Sequence, residues 1–163
     1  MILGFSTQLN GKPTYFVEKI WQGLLKKEFN LLAYHRFKDD AAYADVIDKW
    51  DYKKDILPKL HTIREDKTNL WQAGMKIDFF INVRKKNMFR FAPVLPVVSV
   101  QKIEIIHQEF LNDIIIKIDG KIINTEEQQQ LAWNDGFDNL LAFLMYFNED
   151  FIGKIIHWTD LKY

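Results

Sequence analysis

The 163-residue chain contains no cysteine, which excludes a disulfide framework, a thiolate metal site and a cysteine nucleophile together, and fits a reducing, intracellular compartment. Neither sign of charge is in excess. With 22 basic and 22 acidic residues, any attraction to nucleic acid must come from a local patch rather than from net charge. No apolar run approaches the ~20 residues that span a bilayer. The longest are broken by Lys, Asp or Gly, so a soluble, cytoplasmic protein without membrane contact is expected. The opening Met1-Ile2-Leu3-Gly4-Phe5-Ser6 lacks the basic region and small-residue cleavage pattern of a signal peptide and reads as a first strand. Neither a G-x-G-x-x-G fingerprint nor a P-loop occurs, and no cofactor is implied. The four histidines, His35, His61, His107 and His157, have no metal-ligand spacing. They read as surface or hydrogen-bonded residues, with no metal site.

Aromatic residues, by contrast, are plentiful: thirteen Phe, six Tyr and five Trp. Most should fill a core, because large rings contribute the most buried apolar area. The length suits one domain over residues 1–163, able to bury roughly 70% of the surface of its unfolded chain. Phe16, Val17, Ile20, Trp21, Leu24 and Leu25 fall at helical spacing after Thr14, which predicts a helix over about 14–28 with Thr14 as N-cap and Lys26 and Lys27 at its C-terminal end. A second amphipathic segment, carrying Tyr43, Val46, Ile47 and Trp50 and capped by Asp39 or Asp40, marks a helical insertion at about 30–57.

From Leu60 onward the period changes from 3.6 to 2. Strands are expected over Leu60–Arg64, over Met75–Ile81 after Gly74, and from Val94 to Ile106, with Pro93 and Pro96 confining the start of the last to an edge or bulge. Ile114–Ile118, Asp119-Gly120 and Lys121–Ile123 form the clearest hairpin, since Asp-Gly supplies the positive φ values of a two-residue turn. Thr125 and Gln128 read as a capping box, Asp138 as the cap of a helix through Phe147, and Gly153–Trp158 as a closing strand. Strands at this density suggest an α+β fold, a small mixed β-barrel with flanking helices.

Two clusters could carry chemistry. On the strand after Pro58, Thr62 and Arg64 share a face that Lys59 can reach through its long stem. A cation beside a hydroxyl eases alkoxide formation, or binds a phosphate or carbonyl oxygen. The Arg84-Lys85-Lys86 loop and Arg90, interleaved with Phe89 and Phe91, offer positive charge and stacking faces for nucleic acid. The plainer reading of each is a solvated strand edge.

Lys59-x-x-Thr62-x-Arg64 resembles the core of the G-x-K-x-x-T-x-R signature of the ASCH domain family, in the PUA-like superfamily of RNA-associated barrels. Trp71-Gln72-Ala73-Gly74 is similar to that family's approach to its next strand, and Ala132-Trp133-Asn134-Asp135-Gly136-Phe137 to its late A-x-x-E-G-F element. The resemblance implies a nucleobase, nucleoside or RNA ligand in a pocket floored by Thr62 and Arg64. It also implies hydrolysis of an N-acylated nucleoside such as N4-acetylcytidine, with Thr62 as nucleophile, Lys59 activating it and Asp135 as acid or base. Leu57 stands where the family has glycine and Asp135 where it has glutamate, so binding is the leading expectation and hydrolysis the secondary one. The alternative is a non-catalytic accessory module that docks a protein partner through residues 30–57, with Tyr34, Phe37, Tyr43 and Trp50 as contacts and the pocket vestigial.

Overall fold

The computed structural model describes residues 1–26, 31–43, 56–108 and 113–163. In chain order its elements are β1 (Ile2–Phe5), β2 (Gln8–Leu9), β3 (Lys12–Pro13), α1 (Phe16–Lys26), α2 (Leu31–Tyr43), β4 (His61–Arg64), β5 (Lys76–Ile81), β6 (Phe89–Arg90), β7 (Leu95–Pro96), β8 (Ser99–Gln108), β9 (Asp113–Ile118), β10 (Lys121–Ile122), α3 (Thr125–Asn134), α4 (Leu140–Tyr146) and β11 (Phe151–His157). They divide into two compact units. One comprises Met1–Lys59 and Lys76–Leu95; the other comprises Leu60–Met75 and Pro96–Tyr163.

In the first unit β5 lies between β1 and β6. β1 and β5 run parallel, with Leu3 opposite Phe79 and Phe5 opposite Ile81. Strand alternation puts Leu3, Phe5, Ile77, Phe79 and Ile81 on buried positions. Phe5 stacks on Phe79 at 5.8 Å, and Phe91 meets both edge-on at 5.7 and 6.0 Å. This is the offset and T-shaped geometry that ring quadrupoles favour.

α1 buries Val17, Ile20, Trp21 and Leu24, and the Trp21 indole N–H donates to the Phe91 carbonyl at 2.7 Å. Thr14 Oγ1 accepts from the Phe16 amide at 3.4 Å, but Thr14 is not at the expected N-cap position: Tyr15, with φ 54°, stands between it and the helix, whose first bond runs from the Lys19 amide to the Tyr15 carbonyl at 2.8 Å. α2 begins earlier than expected and runs through Asp39 and Asp40 rather than being capped by them. Tyr34, Phe37 and Ala41 set its register, the two rings lying 5.5 and 5.7 Å from Trp21. Tyr34 is buried by this packing, so it is not open to a docking partner. Lys27, Val46, Ile47, Trp50 and the side chain of Tyr43 lie outside the described residues.

The second unit is built on a five-stranded antiparallel sheet of order β10-β9-β8-β11-β4. Its Ile-rich face, with Ile63, Ile103, Ile105, Ile116, Ile118 and Ile155, packs against Leu131, Ala132 and Phe143 of the helices. The hairpin between β9 and β10 turns at Asp119 and Gly120, both with positive φ (49° and 85°). That pair of left-handed residues makes the turn compatible with strand twist. The segment expected as one strand from Val94 is interrupted: β7 ends at Pro96, and β8 starts at Ser99 and continues to Gln108. Proline cannot donate to the ladder.

Helix α3 is capped one residue earlier than expected. Asn124 Oδ1 accepts from the Glu127 amide at 2.9 Å while Glu127 Oε2 accepts from the Asn124 amide at 2.8 Å. The reciprocal pair holds the Glu127 carboxyl below its usual range through the Asn124 N–H. Likewise Asn139, not Asp138, caps α4. Asn124→Ala should destabilise this unit by about 1 kcal/mol, whereas Thr125→Ala should leave it nearly unchanged; urea titrations of the two variants check the assignment.

Both units are α+β, but neither sheet closes on itself, so the expected barrel is not formed among the described residues. The strand order explains this. β1 and β6 bound one open path and β10 and β4 the other. Among the described residues no helix is long and apolar enough to cross a membrane.

Candidate functional site

Among the described residues β4 is the edge strand of the second unit's sheet, pairing with β11. Its alternation puts Thr62 and Arg64 on one face, opposite Ile156 and Lys154, and His61 and Ile63 on the other, opposite His157 and Ile155. Thr62 is 2% exposed and Arg64 is half-buried. Asp135, at the C-cap of α3, is buried, and its Oδ1 accepts from the Ile63 amide at 3.1 Å. The carboxylate therefore holds the main chain one residue from Thr62. The same oxygen lies 3.6 Å from His61 Nδ1.

The turn that follows β4 is equally fixed. Asp66 accepts from the amides of Leu70 and Trp71 at 2.8 and 3.0 Å and from Lys154 Nζ at 3.0 Å. Burial works to raise its pKa, but the two amides and the ammonium outweigh it and hold the carboxyl below the usual range. Lys154 also donates to the Trp71 carbonyl at 3.1 Å and to Asn69.

Lys59, in the first unit, is 1% exposed. Its amide donates to the Lys19 carbonyl at 3.0 Å and its Nζ lies 4.8 Å from the Phe16 ring centre and 6.0 Å from that of Phe5. A cation over aromatic faces is stabilised by their quadrupoles.

The basic loop joins β5 to β6. Arg84, Lys85 and Lys86 are exposed, and among the described residues no carboxylate pairs with them. Phe89 is half-buried. Arg90 is engaged: its guanidinium pairs with Asp78 at 2.6 Å and lies 5.3 Å from the Phe80 ring centre. Phe91, expected as a stacking face, is instead fully buried against Phe5 and Phe79, because it follows β6 directly and its amide is held by the Phe79 carbonyl at 3.1 Å. Beside the loop is a hollow of about 410 Å³ lined by Gly4, Ser6, Thr7, Gln8, Asn82 and Lys85, among others.

Sequence reasoning treated the histidines singly and so missed a cluster. His61 and His157 are cross-strand partners with ring centres 5.2 Å apart, and Ser99 follows in the same row on β8. His61 Nε2 is 2.7 Å from the Tyr163 hydroxyl, which also accepts from Asn134 Nδ2 at 2.9 Å. Neither ring nitrogen of fully buried His157 has a hydrogen-bond partner among the described residues. Burial, reinforced by His61, lowers its pKa to about 3. Burial likewise pushes the Tyr163 phenol up. The available signal was parity: His61 and His157 alternate in phase with inward-facing Ile63 and Ile155.

No protein-family model, no curated protein and no solved structure matches the chain.

Proposed function

We propose that this protein binds single-stranded RNA or a nucleoside unit of it, with Arg84, Lys85 and Lys86 supplying the phosphate contacts. The observation that carries this reading is the exposure of three successive cations, with no carboxylate partner among the described residues, the middle one, Lys85, lining a hollow of about 410 Å³. Pockets of ~300–1,000 Å³ suit small ligands. Cations without an acidic partner pay no cost of breaking an ion pair when phosphate arrives, and they release counterions from the strand. Half-buried Phe89 offers a ring edge beside them, while Arg90, already held by Asp78, is a positioning residue for β6. The resemblance to the RNA-associated ASCH family supports the same ligand class.

The reading is tested by titrating a fluorescent single-stranded decamer with the protein and with an Arg84→Ala/Lys85→Ala/Lys86→Ala variant. Affinity should fall at least 10-fold in the variant with its melting curve unchanged. Equal affinities would overturn the reading.

A second reading, amide hydrolysis of an N-acylated nucleoside, is favoured by one observation. The buried Asp135 carboxylate is fixed on the main chain adjacent to Thr62, and these are the acid or base and the nucleophile that the resemblance implies. Incubation with N4-acetylcytidine and mass analysis should reveal cytidine, lost in Thr62→Ala; no cytidine from the wild type would exclude it.

A further inference from the structure

β1 and β5 are parallel neighbours, so their carboxyl ends emerge side by side, and the segments that follow supply the walls of the hollow, Ser6, Thr7 and Gln8 on one side and Asn82, Val83 and Lys85 on the other. Loops gathered at the carboxyl ends of parallel strands are where α/β sheets commonly hold ligands. Gly4 belongs to its floor. A Cβ at this position would lie 2.9 Å from Val83 Cγ2, so a side chain here would collide with the opposite wall.

The chemistry of the walls is one-sided. The carbonyl oxygens of Ser6 and Thr7, which would repel an anion, are occupied by Thr14: its hydroxyl donates to Ser6 at 2.7 Å and its amide to Thr7 at 3.0 Å. Ser6, Thr7, Gln8 and Lys85 are exposed residues, and among the described lining residues none carries a carboxylate. The far wall is held in shape. Asn82 and Arg84 adopt left-handed φ (53° and 66°), the Lys85 amide donates to the Asn82 carbonyl at 3.0 Å, and Asn82 Nδ2 donates to the Asn87 carbonyl at 3.3 Å.

We propose that the hollow at the ends of β1 and β5 is a phosphomonoester site that takes the terminal phosphate of a nucleotide. A monoester carries close to two negative charges and three acceptor oxygens near neutral pH, a match for two hydroxyls, an amide and an ammonium. An internal phosphodiester has one charge and two free oxygens and leaves donors unused. The proposal deepens the RNA-binding reading and rests on it where the nucleotide is an RNA end; a free mononucleotide presents the same group.

The first comparisons use the wild-type protein. Binding of single-stranded decamers bearing a 5′-phosphate, a 3′-phosphate or hydroxyls at both ends is compared by anisotropy. Uridine monophosphate and uridine are compared separately by calorimetry. A phosphorylated end bound at least 10-fold tighter than the hydroxyl form identifies an RNA terminus as the source; uridine monophosphate preferred over uridine without such an end effect identifies the free nucleotide. Either preference should vanish in Ser6→Ala/Thr7→Val. Equal binding within both comparisons overturns the phosphate site, even if RNA still binds through the basic loop. Conversely, preference for uridine monophosphate with no RNA binding at all would leave the site standing and remove the RNA reading.

Discussion

Asp135→Ala should lower the stability of the unit containing the five-stranded sheet by about 3 kcal/mol, the cost of stranding a buried amide that had a charged acceptor. Asp135 is 4% exposed, and its Oδ1 takes the Ile63 N–H at 3.1 Å. That amide points away from β11, toward the outer edge of β4, where no strand among the described residues replaces the lost acceptor. His61 Nδ1, 3.6 Å from the same oxygen, loses its nearest carboxylate as well. Asp135→Asn retains a carbonyl oxygen and should cost only about 1 kcal/mol. Urea unfolding followed by circular dichroism measures both. A wild-type midpoint for Asp135→Ala would mean that the carboxylate does not hold β4.

Acidification should weaken the same unit before ordinary carboxylates titrate. His157 is buried and neutral, with its pKa lowered from 6.5 to about 3 by burial first and by the neighbouring His61 second; Lys162 adds to the lowering and Asp119 opposes it. The unfolded chain takes up a proton near pH 6.5 while the folded one does not, so this contribution is complete above that pH. It is lost as pH falls from about 6.5 toward 3. At about 1.4 kcal/mol per unit, the loss is about 2 kcal/mol by pH 5. His157→Phe removes the titrating ring and should flatten the stability profile between pH 7 and 5. An unchanged slope in that variant would assign the acid sensitivity to other groups.

Local chemistry made some elements legible from sequence. Asp119-Gly120 specifies its own turn, and the inward stripe of α1 follows from Val17, Ile20, Trp21 and Leu24. Caps were legible only to within a residue, because Asn124 and Thr125 are both good cap formers and the choice depends on where the chain leaves β10. The packed face of α2 follows from the contact of Tyr34 and Phe37 with Trp21, which no local pattern announces.

Long-range pairing was the least legible. The parallel partnership of β1 and β5 joins residues more than seventy positions apart, and that pairing brings together the segments that line the hollow at their carboxyl ends. The basic loop could be read because its three cations are consecutive. Its fourth, Arg90, could not, since its pairing with Asp78 comes from the register of β5 and β6, in which Phe80 faces Arg90. The histidine row arises in the same way, from the register of β4, β11 and β8.

The central claim, that Arg84, Lys85 and Lys86 grip a phosphate backbone, is tested most directly by the salt dependence of single-stranded RNA binding. Three neutralised phosphates predict a log–log slope of about −2, from roughly −0.7 for each, falling toward zero in the triple alanine variant. A slope near zero in the wild type, or one unchanged by the three substitutions, would contradict it.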